Sequence, residues 1–208
     1  MKSRITSFSM ILVLALFVTA CDSSSSNDDS QEVIAARASD VPSDPIIGIG
    51  SDGRPVGANA FSFFSLRTGQ IVASTDSAST GWDLGFKGST IIVNGGTSGP
   101  GNGAAQIVDD IFGDVMDAPE NGWIQDSADA YAIPTGSGNG WYNYNFATQV
   151  LSPIPGRVLL VRTADGRYAK VSMISYYQGA PETPTGDDTA RFLTFDYVFQ
   201  PDGSRKFQ

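Results

Sequence analysis

Five glycines between Gly95 and Gly103 are the residues most suggestive of chemistry in this chain. They end the run GWDLGFKGSTIIVNGGTSGPGNG, which begins at Gly81. Glycine-rich turns after strands often bind phosphate through backbone N–H groups. A P-loop requires GxxxxGK[ST] and a following helix, and a dinucleotide fold requires GxGxxG. This run has neither spacing, no lysine directly follows it, and Pro100 removes one N–H donor. A structural turn is therefore predicted here rather than a nucleotide site.

Side chains suited to catalysis are scarce. The sequence has no histidine and a single cysteine, Cys21, which excludes Ser-His-Asp triads, Cys-His dyads and histidine-based zinc sites. Paired carboxylates, as in glycosidases, remain the alternative for catalysis. However, only Glu32, Glu120 and Glu182 are glutamates, and most aspartates lie in turn-like contexts. We therefore expect a protein that is not an enzyme.

The aromatic residues could either stack on a flat ligand or fill a core. A core role is the default for Trp82, Trp123 and Trp141, because packed sheets need large apolar side chains. Trp141 and Tyr144 follow a glycine-rich stretch at a predicted boundary between loop and strand. These two are expected to be the most exposed aromatic residues.

Two methionines, Met116 and Met173, remain beyond the first 20 residues. A thioether sulfur can ligate haem iron. Met173 lies on the apolar side of a predicted strand, which favours a core position. Met116 lies in an acidic, irregular stretch and has less reason to be buried.

The N-terminus predicts export and lipidation. Lys2 and Arg4 precede an apolar run from Met10 to Ala20, which has signal-peptide length and is too short to span a membrane. It ends in Val-Thr-Ala-Cys21, which resembles a bacterial lipobox. We expect residues 1–20 to be a signal peptide and Cys21 to carry the lipid anchor that attaches the protein to a membrane.

Residues 21–45 are predicted to be an acidic, Ser-rich tether. The segment that follows Cys21, DSSSSNDDSQ, has no apolar residue to bury. It resembles the export signals of surface lipoproteins in Bacteroidota-type bacteria, which implies an outer-membrane anchor, facing the cell surface. Losing Lys2 and Arg4 changes the net charge from −9 to −9 − 2 = −11. So acidic a protein is a poor nucleic-acid binder.

The remaining residues, 46–208, predict a single, mainly β domain. Apolar and β-branched runs alternate with turn residues, and no long stretch has helical periodicity. The clearest hairpin joins residues 157–163 to 168–174 through Asp165-Gly166. We expect antiparallel strands in two packed sheets or one strongly curved sheet, with few short helical turns. The strand segments are predicted at residues 61–66, 71–74, 82–86, 89–94, 104–109, 141–146, 157–163, 168–174 and 191–199, with a helical turn at 110–116.

Several motifs, taken in order, resemble the HmuY-type haem-carrier lipoproteins. They are the Trp82-Asp-Leu-Gly-Phe86 strand, the glycine-rich turn that follows it, the hairpin at 157–174 with Ala169-Lys170-Val171, and the final aromatic strand. The resemblance runs with gaps from about Phe61 to Phe199. It implies a β-rich, hand-like fold on the cell surface. Such proteins hold haem between loops and pass it to an outer-membrane receptor, here of the TonB-dependent kind.

The resemblance also implies where haem would be ligated. Haem-binding members place an axial ligand, often histidine, after a stretch like Trp141-Tyr-Asn-Tyr144, which corresponds here to a position near Phe146. Some members use methionines, which makes Met116 and Met173 candidate ligands. Trp141, Tyr144 and Phe146 complete the expected haem site. The alternative is a binding module of the same fold that takes a non-haem ligand or a protein partner.

Overall fold

The computed structural model describes residues 32–208, and the predicted signal peptide and Cys21 lie outside this range. No helix in the described part of the chain is long and apolar enough to cross a membrane. The strands in chain order are β1 (Ile34–Pro42), β2 (Ile46–Ile49), β3 (Pro55–Gly57), β4 (Ser62–Ser65), β5 (Gln70–Val72), β6 (Leu84–Lys87), β7 (Thr90–Val93), β8 (Ala104–Asp109), β9 (Tyr142–Asn145), β10 (Val150–Pro153), β11 (Arg157–Arg162), β12 (Tyr168–Tyr177) and β13 (Ala190–Gln200).

The main sheet has five antiparallel strands in the order β1-β13-β12-β11-β8. Its strands alternate sides with period two. On β12, Ala169, Val171 and Met173 face the larger core, whereas Lys170 points to the other side. That second side is covered by the loop around Val115 and by the C-terminal Phe207. The sheet is thus buried on both faces.

A second sheet, in the order β5-β4-β6-β7, packs on the larger core. The contact between the sheets is aromatic: the rings of Phe64 and Phe195 meet edge to face at 5.3 Å between centroids, and Phe86 lies 5.6 Å from Phe195. Such pairs contribute about 0.5–1.5 kcal/mol beyond the apolar area that they bury. The prediction of a mainly β fold with packed antiparallel sheets is confirmed.

The folded domain begins earlier than the predicted boundary at residue 46. β1, placed by the sequence analysis in the tether, pairs along its length with β13. Ala38 and Val41 are buried, and Arg37 donates to both carboxylate oxygens of Asp196, at 2.7 and 2.9 Å. β1 is rich in alanine and lies at a sheet edge, so backbone pairing rather than a strong apolar pattern specifies it.

Most predicted strands form within one or two residues of their expected limits, and the 157–174 hairpin forms with its second strand extended by three residues to Tyr177. The short hairpin β2–β3 and strand β10 were not predicted. Residues 110–116 contain a turn closed by the Val115 N–H on the Ile111 carbonyl at 3.3 Å, and no helix. A three-residue 3₁₀ turn at Ser74–Asp76 is the only helical element among residues 32–208.

The glycine-rich turn is wound around Asn94, which is fully buried. The Asn94 side chain donates to the carbonyls of Ser79 and Trp82 and accepts from the Gly101 N–H at 3.0 Å. A Cβ on Gly99 would overlap the Asn94 amide, and one on Gly103 would lie 2.5 Å from the Asn94 carbonyl oxygen. The glycines are needed because the backbone passes this close, so the turn is structural, as predicted.

Asp83 holds the second sheet to the β11–β12 hairpin. Its buried carboxylate accepts hydrogen bonds from the Leu66 N–H at 2.8 Å and the Ala164 N–H at 3.1 Å. Burial raises the pKa of Asp83 to about 6, against the effect of these two hydrogen bonds. The Asp of the Trp82-Asp-Leu-Gly-Phe86 motif thus joins two segments that are distant in sequence.

Candidate functional site

A large cavity lies at one end of the molecule, between the hairpins β2–β3 and β9–β10 and the adjoining ends of β12 and β13. We call it the cleft. Its volume is about 760 Å³, within the roughly 300–1,000 Å³ typical of small-molecule sites. Its lining includes apolar, aromatic and charged side chains, among them Asp44, Ile46, Asp52, Arg54, Val56, Tyr142, Tyr144, Phe146, Tyr176, Tyr177, Asp188 and Arg191.

One wall of the cleft is an aromatic ladder, which we define as Tyr142, Tyr144 and Phe146. Successive side chains of a strand alternate sides, so residues two apart share one face. All three members line the cleft, and they run from buried Tyr142 through half-buried Tyr144 to Phe146, which is 84% exposed. The Tyr144 and Phe146 rings meet edge to face at 5.0 Å. The ladder presents aromatic side chains that a flat ligand can contact.

The ladder rests on Trp141, which points away from the cleft into the core. Trp141 is only 2% exposed, and its indole N–H donates to the Ser89 carbonyl at 2.8 Å. Its ring packs against Tyr142 at 5.2 Å and against Tyr176 at 6.2 Å. The expectation that Trp141 would be exposed is therefore wrong. Neighbouring positions on a strand face opposite sides, so Tyr142 takes the cleft side.

Two tyrosines at the end of β12 form the floor. The Tyr177 hydroxyl accepts from the Leu151 N–H at 2.9 Å and so ties β12 to β10. Its neighbour Tyr176 meets it edge to face at 5.6 Å. Burial raises the pKa of the Tyr176 phenol, and nearby Arg191 partly offsets this effect. The Tyr176 phenol therefore remains neutral at physiological pH.

The rim carries two guanidinium groups, those of Arg54 and Arg191. Arg54 reaches the Asp187 carbonyl at 3.5 Å. Arg191 makes a long contact of 3.4 Å with buried Asp44, and its side chain is 60% exposed. Among residues 32–208, Arg54 forms no ion pair with a carboxylate and Arg191 makes only the long contact with Asp44, so both guanidinium groups keep free N–H donors. Both are thus available to an acidic ligand.

Arg191 owes its position to a bulge in β13. Ser175 pairs with Thr194 and Tyr177 pairs with Ala190, so two residues of advance along β12 correspond to four along β13. Arg191 also adopts a φ of +71°, a left-handed conformation that is uncommon for residues with a side chain. Bulges of this kind redirect side chains, often beside functional sites. Here the strand turns Arg191 toward the cleft.

The hairpin β2–β3 is the most exposed wall. Its two strands pair only with each other, and its apolar side chains remain largely in solvent. Ile46 and Val56, each 44% exposed, line the cleft. An isolated two-stranded hairpin is marginally stable in water. This wall is therefore the part of the cleft best able to adjust to a ligand.

The predicted site residues are only partly brought together. Tyr144 and Phe146 line the cleft, and Trp141 supports it from beneath. Met173 is buried in the larger core. Met116 is 40% exposed on the other side of the main sheet, where its carbonyl accepts from the Phe207 N–H. The main sheet separates the two methionines, and neither lines the cleft.

Sequence reasoning missed the other side of the cleft. Arg54 lies in a turn assigned to no element, and Tyr176 lies just past the predicted end of its strand, which stops at residue 174. Arg191 follows a loop rich in proline and glycine. One sequence feature does indicate this side of the cleft: two consecutive tyrosines, Tyr176 and Tyr177, end a long strand just before a loop rich in proline and glycine. No group of three His, Cys, Asp or Glu residues suited to a metal ion occurs within residues 32–208.

Three solved structures from Bacteroidota are similar to the chain. A lipoprotein candidate from Bacteroides fragilis is 17% identical, with 83% of this chain and 92% of that chain covered and a TM-score of 0.49. An HmuY-like haem-binding candidate from Bacteroides vulgatus is 15% identical, with 83% and 94% covered and a TM-score of 0.46. The apo HmuY analogue of Tannerella forsythia is 15% identical, with 84% and 100% covered and a TM-score of 0.47.

No curated protein sequence matches the chain. The family model described as HmuY protein matches residues 58–197, which span the second sheet, both walls of the cleft formed by β9–β10 and β12–β13, and most of the main sheet. The chain therefore belongs to the HmuY family.

Proposed function

We propose that the protein binds haem, or a closely related porphyrin, in the cleft and delivers it to an outer-membrane receptor. The observation that carries the proposal is the aromatic ladder, which faces the Tyr176–Tyr177 floor across a cavity of about 760 Å³. A porphyrin is flat and largely apolar, so one of its faces can lie on the ladder. Membership of the HmuY family supports the same ligand class. Haem is cargo in this role, so no catalytic group is required.

The rim of the cleft suits the carboxylate groups of a porphyrin. Haem carries two propionate groups, and Arg54 and Arg191 can donate hydrogen bonds to carboxylates. Three aspartates, Asp44, Asp52 and Asp188, also line the cleft, so its lining is not strongly positive. Recognition of the carboxylates must therefore depend on these two guanidinium groups rather than on a general positive field.

An optical titration tests the proposal. Haemin is added to residues 22–208, which include every described residue. We expect a saturable, red-shifted Soret band, with one haemin per chain. Spectra that match haemin in the same buffer at every ratio, in both the oxidised and the reduced state, would contradict the proposal.

A second candidate function keeps the fold and replaces the ligand. Its support is the absence of histidine from the sequence, together with the absence of methionine and cysteine from the described lining of the cleft. The cleft would then take another apolar, acidic small molecule or a protein partner. A receptor pull-down that recovers equal amounts with and without haemin would favour this candidate.

We also propose that Cys21 is lipidated and anchors the protein to the outer membrane, facing the cell surface. The support is the lipobox-like Val-Thr-Ala-Cys21 and the acidic segment that follows it. The folded domain begins near β1, so about a dozen residues would separate the anchor from the first strand. A cargo cleft on such an anchor would stay close to a receptor in the same membrane.

A further inference from the structure

Tyr144 differs from Tyr142 and Tyr177, which line the same cleft, in the state of its hydroxyl. The Tyr142 hydroxyl accepts from Ser89 Oγ at 3.2 Å, and that of Tyr177 accepts from the Leu151 N–H. Among residues 32–208 the Tyr144 hydroxyl has no hydrogen-bond partner, although its backbone N–H donates to Ser137 Oγ at 2.8 Å. Its ring is held by Phe146. The backbone and ring are thus fixed while the phenol oxygen stays available.

The other oxygen donors of the cleft are less available. Asp44 accepts from the Ala60 N–H and contacts Arg191. Asp52 accepts from the Arg54 N–H at 3.1 Å, and Asp188 accepts from Thr185. The pKa of Tyr176 is raised by burial, which disfavours its phenolate.

The described lining contains no histidine, methionine or cysteine. An iron ligand from the cleft must therefore be an oxygen, and the phenol is a known type of haem ligand.

We propose that Tyr144 is the axial ligand of ferric haem in the cleft, through its phenolate oxygen. The inference rests on the proposed function. When the iron–oxygen bond forms, the phenol O–H bond breaks and the proton passes to solvent, while the iron stays Fe(III). A hard, anionic oxygen favours Fe(III) over Fe(II). One-electron reduction by an added reductant gives Fe(II), and the phenolate takes up a proton as the bond is lost. The protein therefore holds ferric haem more tightly than ferrous haem.

The test compares wild type with Tyr144→Phe, using Tyr176→Phe as the matched control from the same cleft. Each protein is titrated with haemin, with haemin reduced by dithionite, and with metal-free protoporphyrin. We expect Tyr144→Phe to weaken ferric haemin binding roughly tenfold or more and to abolish the iron–phenolate stretching band in the resonance Raman spectrum. Its affinity for metal-free protoporphyrin and for ferrous haem should match that of wild type. Tyr176→Phe should keep the iron–phenolate band.

Three results would overturn the inference. The first is a Tyr144→Phe protein with wild-type ferric affinity and spectrum. The second is a ferric spectrum that changes in Met116→Leu or Met173→Leu but not in Tyr144→Phe. The first result would leave porphyrin binding in the cleft intact, whereas the second would place the iron away from the cleft, because neither methionine lines it. The third, wild-type protein that binds neither haemin nor metal-free protoporphyrin, would remove the proposed function and the inference together.

Discussion

The Tyr144 ring meets the Phe146 ring edge to face, with 5.0 Å between centroids, at the open end of the cleft. Phe146 is 84% exposed, and burying such a side chain stabilises by roughly 1.5–3 kcal/mol. The free protein gains little of this stabilisation, because the Phe146 ring is largely in solvent. A ligand that covers the ring would recover part of it.

Replacing Phe146 with alanine should therefore weaken ligand binding and leave folding nearly unchanged. We expect porphyrin affinity to fall roughly five- to tenfold, because apolar contact area is lost from the ladder. The free energy of unfolding should change by less than about 0.5 kcal/mol, since the ring is exposed in the free protein. Titration and urea denaturation of the same variant measure the two effects. A loss of stability without a loss of affinity would mean that Phe146 supports the fold instead.

The guanidinium groups of Arg54 and Arg191 should recognise the ligand's carboxylates. We expect Arg191→Ala to weaken haemin binding about three- to fivefold, because the group is largely exposed and solvent screens its interactions. Haemin dimethyl ester, which has no carboxylates, provides the control. It should bind wild type more weakly than haemin, and Arg191→Ala should bind it as wild type does. Equal losses for haemin and the ester would show that Arg191 acts through cleft shape rather than charge.

Asp83 should make stability fall as the pH rises. Its pKa is raised from 3.8 to about 6 in the folded state, so protonation of Asp83 stabilises the folded protein. This stabilisation is fully present below pH 4 and is lost as the pH rises through 6. At neutral pH the free energy of unfolding is therefore lower by about 3 kcal/mol than at low pH, because of this one group.

Asp83→Asn cannot titrate and lacks one acceptor for the Leu66 or Ala164 N–H, which costs about 1–3 kcal/mol. The variant's deficit relative to wild type should therefore be larger at pH 4 than at pH 7. Urea denaturation at both pH values measures this, and a deficit that grows toward pH 7 would contradict the assignment.

Cys21 is the sole cysteine of the sequence, which makes the lipidation proposal simple to test. In cells given labelled palmitate, wild type should incorporate the label and Cys21→Ala should not. The variant should also leave the membrane fraction, because stable anchoring depends on the acyl chains. Equal labelling of the two proteins would contradict the proposal that Cys21 is lipidated.

The sequence predicts the sheets better than it predicts the cleft. Strands such as β8, β11 and β13 are apolar runs bounded by turn residues, so their positions follow from local pattern. β1 was assigned to the tether because the composition of an alanine-rich edge strand resembles that of a linker. Its pairing with β13 depends on residues 150 or more positions away, which no local pattern records.

The cleft combines three regions that are remote in sequence. Tyr144 was found because it follows a glycine-rich stretch at a predicted boundary between loop and strand, and Phe146 because of the resemblance to the HmuY-type proteins. Arg191 was missed because a bulge and a left-handed φ turn it toward the cleft, and both depend on tertiary packing. Trp141 was expected to be exposed because of its glycine-rich neighbours, whereas the register of β9 buries it beneath Tyr142.

The most direct test of the account is to locate haemin by the broadening of backbone amide NMR signals in residues 22–208. Zinc protoporphyrin, which is diamagnetic, provides the control. Haemin bound in the cleft should selectively broaden the signals of Tyr142–Phe146, Tyr176, Tyr177 and Arg191. Broadening centred on Met116 and Phe207, across the main sheet, or no saturable broadening at all, would contradict binding in the cleft.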